Sequence, residues 1–428
     1  MSSTMTNPPE RRPAVAREER LKASILYSVL GQAMYVAAQL GVLTALSRFS
    51  GVAAVGEFGL AMAVATPVFL LTNLGVRTGQ ATDADRRYSF EEYAGLTVVS
   101  ALIGIGLSLA VGTAFLGTAG GLAILLMVSA NKAVEAISIL AYGTYQQVGR
   151  LDLSALSLCI RGILSVLAFV ALLKLGAGTA LALSAQFMVW SMVAFGIDYR
   201  RASKLSSGRL VAPIFNARRL YLLARENAPL GIGQFGSALT VSLPRLMLKW
   251  YVGLEAVGLF TMVYYFFQAG AMVANSVAQA VVGRFAAMWR SGRVRQLQTT
   301  ALRLTIAAVA CSAVGTLVVA FKGGAILDFL FGPEARAGED VLFLIACALS
   351  LKLVDLVPQS LLNAQRRFHG FLTSQILSLV TSVVLLPVLV PHWGLLGAGI
   401  TVVAVAAVRL VTLLVFLYRP APRRGDGT

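Results

Sequence analysis

Long apolar runs constrain this chain more than any other feature. Leu96–Phe115, Leu122–Leu140 and Ile400–Leu417 contain between them only Lys132, Glu135 and Arg409 as charged residues. A run of roughly 18 or more apolar residues is long enough to cross a hydrocarbon core of about 30 Å as a helix. Composition agrees: 57% of the 428 residues are hydrophobic and 13% charged, against about 45–50% and about 25% in soluble domains. The pattern predicts an all-α, polytopic membrane protein with about twelve spans. They fall near 23–46, 53–76, 93–116, 119–143, 154–174, 179–199, 226–248, 256–280, 300–322, 339–363, 368–391 and 394–417. The connections are short, the longest running from about 200 to 225, which leaves no room for a soluble catalytic domain.

The net charge of +17 would point to nucleic acid in a soluble protein. Here the loops explain it. With the N-terminus in the cytoplasm, 26 Lys and Arg fall in cytoplasmic segments. Five fall outside: Arg48, Lys174, Lys249, Lys322 and Arg336. That bias predicts both termini in the cytoplasm, an even number of spans and an inner-membrane location, with no nucleic-acid partner. Residues 1–22 and 419–428 read as polar cytoplasmic tails, the first disordered. Arg11-Arg12 lacks the short apolar segment and cleavage site of a twin-arginine signal, so the first span is expected to stay. Cys159, Cys311 and Cys347 lie inside apolar spans without CxxC spacing and read as small buried residues.

The chain also repeats itself. Gly51-Val-Ala-Ala-Val-Gly-Glu-Phe58 matches Gly253-Leu-Glu-Ala-Val-Gly-Leu-Phe260. Lys132-x-x-Glu135 matches Lys352-x-x-Asp355, and Leu175-Gly-Ala-Gly178 matches Leu396-Gly-Ala-Gly399. The order is the same in each half. This predicts an N-terminal six-helix lobe at 23–209 and a C-terminal one at 210–418. The lobes would be parallel, related by an axis along the membrane normal, with a site between them near midplane.

Five cations remain inside the spans: Lys132, Arg161, Arg245, Lys352 and Arg409. A Lys or Arg at a span centre costs about 2.5–3.5 kcal/mol on the insertion scale. Arg245 and Arg409 lie close enough to span ends that snorkelling is an alternative to a cavity-facing role; Arg161 is deeper. Lys132 and Lys352 are central, and each has a carboxylate three residues on, Glu135 and Asp355, on the same helix face. Each pair is either a self-neutralising structural pin or a cation facing a water-filled cavity. Polar stripes at helical spacing favour the cavity: Gln32, Tyr35 and Gln39; Asn131 with Lys132 and Glu135; Lys352, Asp355, Gln359 and Asn363. Lipid offers such groups no hydrogen-bond partner. Serines on span 5 (Ser154, Ser157, Ser165) also fit plain helix packing.

No GxxxxGK[ST] loop is present, and the only histidines, His369 and His392, sit at loop edges. Asp83-Ala-Asp85 formally matches a glycosyltransferase DxD but reads as a solvated charge cluster. No catalytic constellation, metal site or cofactor site is expected, which favours a transporter over an enzyme.

Gly51–Phe58 followed by Thr72-Asn-Leu-Gly75 resembles the opening hairpin of bacterial polysaccharide transporters. These are the Wzx-type lipid-linked oligosaccharide flippases, relatives of the multidrug and toxin extrusion proteins. Gly253–Phe260 fits the matching place in the second half, and Leu327-Asp-Phe-Leu-Phe-Gly332 resembles the family's external LLFG segment. The resemblance covers most of the chain. It implies two six-helix lobes around a cavity that opens alternately to each face. The implied cargo is an undecaprenyl-pyrophosphate-linked sugar unit for O-antigen, capsule or exopolysaccharide, its lipid tail staying in the bilayer through a lateral gap. The pyrophosphate would suit Lys132, Arg161 and Lys352, and also Arg77, Arg245 and Arg409. Glu135 and Asp355 become the coupling-ion candidates, and a polysaccharide polymerase and a chain-length regulator the implied partners. One alternative is a cation-coupled multidrug exporter of the sister family, disfavoured because spans 1, 2, 7 and 8 lack a central Asp or Glu. Another is a membrane-embedded glycan polymerase or ligase, which would need a longer external loop.

Overall fold

The structure, a computed structural model, describes residues 14–83, 85–365 and 367–418. The tails expected at 1–22 and 419–428 lie outside these residues, except that the first helix already starts at Ala14. Twelve α-helices follow: α1 Ala14–Thr72, α2 Val76–Thr82, α3 Phe90–Gly112, α4 Ala119–Gln147, α5 Leu151–Lys174, α6 Thr179–Val193, α7 Arg200–Ser207, α8 Ala217–Tyr251, α9 Leu254–Arg290, α10 Val294–Phe331, α11 Glu339–Ala364 and α12 Phe368–Tyr418. A π-helical turn, Ala194–Tyr199, joins α6 to α7, and a 3₁₀ turn, Pro333–Gly338, precedes α11. There is no strand among the described residues.

Two of these helices are spans in pairs. Helix α1 breaks at Gly51 (φ 84°, ψ 174°) and α12 at Gly394 (φ 51°, ψ −125°), where a left-handed φ suits only glycine without strain. Tyr35 and Thr66 of α1 line the same cavity, although a straight helix would hold them about 46 Å apart. Arg409 bonds Gln375 within α12, across what would be about 51 Å of straight helix. Both helices therefore double back at their glycines. Nine runs among the described residues are long and apolar enough to cross a membrane. Counting the two bent runs twice gives eleven crossings. The twelfth expected span lies in α8, which falls short on hydropathy because its inner face carries Gln234, Ser237, Ser242 and Arg245.

The two repeated hairpin motifs meet each other. A Cβ built on Gly56 would sit 2.2 Å from the carbonyl oxygen of Leu254, and one on Gly258 would sit 2.2 Å from that of Val52. The partners are related by one offset of 202 residues in both directions. Reciprocal contact of this kind is what a twofold axis produces. Nearby, Arg48 donates to the carbonyls of Asp328 (3.3 Å), Phe329 and Leu330 (3.2 Å), and Ser47 Oγ to Phe331 O (2.7 Å). These carbonyls lie in the last turn of α10, where, among the described residues, only that of Asp328 also accepts a backbone bond, from Gly332 N at 2.9 Å, so a cation from the first half caps a helix of the second. The 202-residue counterpart of Arg48 is Trp250, which packs edge-on to Phe115 just past α3, ring centroids 6.4 Å apart. One end of the molecule is thus tied shut from both sides.

Candidate functional site

Away from that tied end, the halves enclose a cavity of about 810 Å³. Both arms of α1 line it, with α4, α6, α8, α9 and the first arm of α12. Its polar wall follows from helical spacing. On α8, Gln234, Ser237, Val241 and Arg245 recur at steps of three and four, so one stripe faces inward. Pro229 and Pro244 lie within the same helix.

Lys132 and Glu135 lie on the wall, joined at 2.7 Å. Tyr35 Oη donates to Glu135 Oε1 at 3.4 Å, and Gln39 Nε2 donates to Tyr35 Oη at 3.0 Å. Asn131 also lines the cavity; its Nδ2 donates to the carbonyls of Met127 (2.9 Å) and Leu183 (3.4 Å). Arg245 is only 6% exposed and does not snorkel. Its Nε donates to Thr261 Oγ1 at 3.1 Å, and its guanidinium lies 5.1 Å from the Tyr264 ring centroid. No carboxylate among the described residues pairs with it, so its charge is uncompensated at the cavity wall.

The other candidates lie elsewhere. Arg161, 1% exposed, sits behind the wall with its guanidinium 4.2 Å from the Trp190 centroid; its Nε and Nη2 find no partner among the described residues. Lys352 and Asp355 do not line the cavity. Asp355 accepts from Lys352 at 3.0 Å and from Arg409 at 2.8 Å. Arg409 also donates to Gln359 (3.0 Å) and to Gln375. The repeated Lys-x-x-acid pair is therefore asymmetric: in the second half a cation from the far arm of α12 also engages the carboxylate, off the cavity wall. Arg77 donates to Gln146 at 3.4 Å, outside the cavity. Gln32 and Asn363 are half-buried and off the wall as well.

The wall also carries residues that no sequence motif marks: Gln186, Trp190, Gln234, Gln268 and Gln375. On α8 the polar residues lie within an apolar span, and only the fold shows which face turns inward. Asp198, a carboxylate within the span expected at 179–199, carries no motif that marks it in the sequence. It lies fully buried in the π-helical turn and accepts from Ser157 Oγ at 2.7 Å, which meets Tyr142 Oη at 2.9 Å. Among the described residues no group of three His, Cys, Asp or Glu could hold a metal ion.

Comparison with known proteins places this architecture. The capsular polysaccharide biosynthesis protein CapF of Staphylococcus aureus is 24% identical over 373 residues, covering 85% of this chain and 91% of that protein. An inward-facing multidrug resistance MATE family transporter of the MOP superfamily superposes with a TM-score of 0.68 at 14% identity, over 90% of this chain and 92% of that one. The lipid II flippase MurJ, in an inward closed conformation, gives a TM-score of 0.63 at 10% identity, over 94% and 87%. At such identities the solved structures speak for the fold alone, an all-α, multi-pass membrane fold. Residues 21–289 match the family model described as polysaccharide biosynthesis protein. With more than half of its length matched, the chain belongs to the polysaccharide biosynthesis protein family.

Proposed function

We propose that this protein is a flippase for an undecaprenyl-pyrophosphate-linked oligosaccharide. It carries the unit from the cytoplasmic to the periplasmic leaflet of the inner membrane for assembly of a surface polysaccharide. The observation that carries this reading is Arg245, a buried cation on the cavity wall without a counter-ion among the described residues, with Lys132 on the same wall. A charge so placed in a low-dielectric interior is costly unless an anion meets it, and a diphosphate is such an anion. The cavity volume falls within the about 300–1,000 Å³ of small-molecule sites, suited to one repeat unit.

The lobes 23–209 and 210–418 would rock about the glycine contacts of Gly56 and Gly258. The charge bias of the loops supports a periplasmic tied end and cytoplasmic termini. Glu135 is the coupling candidate on the wall; Asp355 is engaged by two cations. A polymerase and a chain-length regulator would take the unit onward. A cationic drug fits less well, since the one carboxylate on the wall among the described residues, Glu135, already holds Lys132 at 2.7 Å.

The test replaces Arg245 and Lys132 singly with Gln and measures surface polysaccharide alongside protein abundance. Arg245→Gln should lower export about tenfold or more at normal abundance, the loss of one charged hydrogen bond. Undiminished export in both variants would contradict the reading.

A further inference from the structure

Among the described residues six carboxamides line the cavity, and they divide into two groups. Gln39, Asn131 and Gln375 are engaged within the protein: by Tyr35, by the carbonyls of Met127 and Leu183, and by Ser237 and Arg409. Gln186 on α6, Gln234 on α8 and Gln268 on α9 make no hydrogen bond to any described residue. They come from both halves and converge on one space. Each amide presents two donors and two acceptor sites, which inside a membrane only water or cargo can complete.

The charges on the same wall are few. Among the described residues they are Lys132, Arg245 and Glu135, a net of one positive charge. A diphosphate takes up that charge fully. A second anionic group on the cargo would enter a space with no cation left to meet it, beside Glu135. Unpaired amides suit the opposite chemistry, since one Gln can donate to and accept from a hydroxyl or an N-acetyl group.

We propose that the glycan carried through this cavity is uncharged, built of neutral hexose or N-acetylhexosamine units, and that Gln186, Gln234 and Gln268 read its hydroxyl and amide groups. This rests on the flippase reading and deepens it. The uncharged glycan stands in the amide part of the cavity while the diphosphate stands at Arg245 and Lys132.

The experiment uses the full-length protein in vesicles and three undecaprenyl diphosphates. One bears a neutral hexosyl-N-acetylhexosamine, one the same unit oxidised to a hexuronic acid, and one no sugar. The neutral form should flip at least about tenfold faster than the acidic one, the cost of leaving a buried charge unpaired. Gln234→Leu combined with Gln268→Leu should slow the neutral form and bring the two rates together. Neither substitution removes a bond within the protein, and a matching melting temperature confirms the fold. Equal or faster flipping of the acidic form overturns the inference while leaving the flippase reading intact. Equal rates for the neutral form before and after substitution overturn it too. If none of the three lipids moves, the flippase reading fails and the inference falls with it.

Discussion

Asp355 shows how one residue decides between a site and a strut. It is 1% exposed and holds Lys352 and Arg409 together. Asp355→Asn would leave two half-buried cations without a carboxylate, at a cost approaching the about 3–5 kcal/mol of a broken buried pair. The expected outcome is a large fall in protein abundance and melting temperature. Lys352→Gln should likewise reduce abundance while leaving export per molecule nearly unchanged; wild-type abundance with lost export would instead put Lys352 at the cargo. Arg245 should behave in the reverse manner, and Arg245→Lys should retain more export than Arg245→Gln because the charge remains. Sequence singled out all these residues, because a bilayer penalises any charge within a span. It could not say which way each faced. The ion pair between Asp355 and Arg409 spans 54 residues of sequence, and nothing in local spacing reveals that the far arm of α12 returns to α11.

At the scale of elements, the repeat in the sequence was legible as glycine spacing, and the structure supplies its use. Gly51 and Gly253 hold the positive φ angles that start each second arm, while Gly56 and Gly258 let the two backbones touch. An added side chain at either place meets a carbonyl oxygen at 2.2 Å, so the backbones must part. Gly56→Val and Gly258→Val should each open the tied end, read as faster labelling of a cysteine placed at Val257 by a membrane-impermeant thiol reagent. Unchanged labelling would contradict the role given to these contacts. Arg48→Ala should act in the same direction with a smaller effect, since it removes the cap on α10 but leaves the glycines in contact. The LLFG-like segment was recognised by resemblance only. Its carbonyls, not its side chains, receive Arg48, and a carbonyl has no signature in a sequence. The span expected at 226–248 lies inside the longer helix α8, Ala217–Tyr251, and its polar inner stripe is legible only once the cavity shows which face matters.

For the whole molecule, two bent helices and a reciprocal glycine contact give a body closed at one end and hollow within. On the proposed function such a body would transport by exchanging which end is tied, and the energy for that exchange would come from cargo or ion binding differently to the two states. A cavity whose wall carries a net positive charge sorts cargo by charge before it sorts by shape. Translocation of an undecaprenyl-pyrophosphate-linked oligosaccharide by the purified protein in vesicles, compared with Arg245→Gln, tests this account most directly. The account predicts protein-dependent appearance of the glycan in the opposite leaflet and near-background movement with the variant. Movement no faster than in protein-free vesicles, together with protein-dependent transport of a cationic dye, would contradict it.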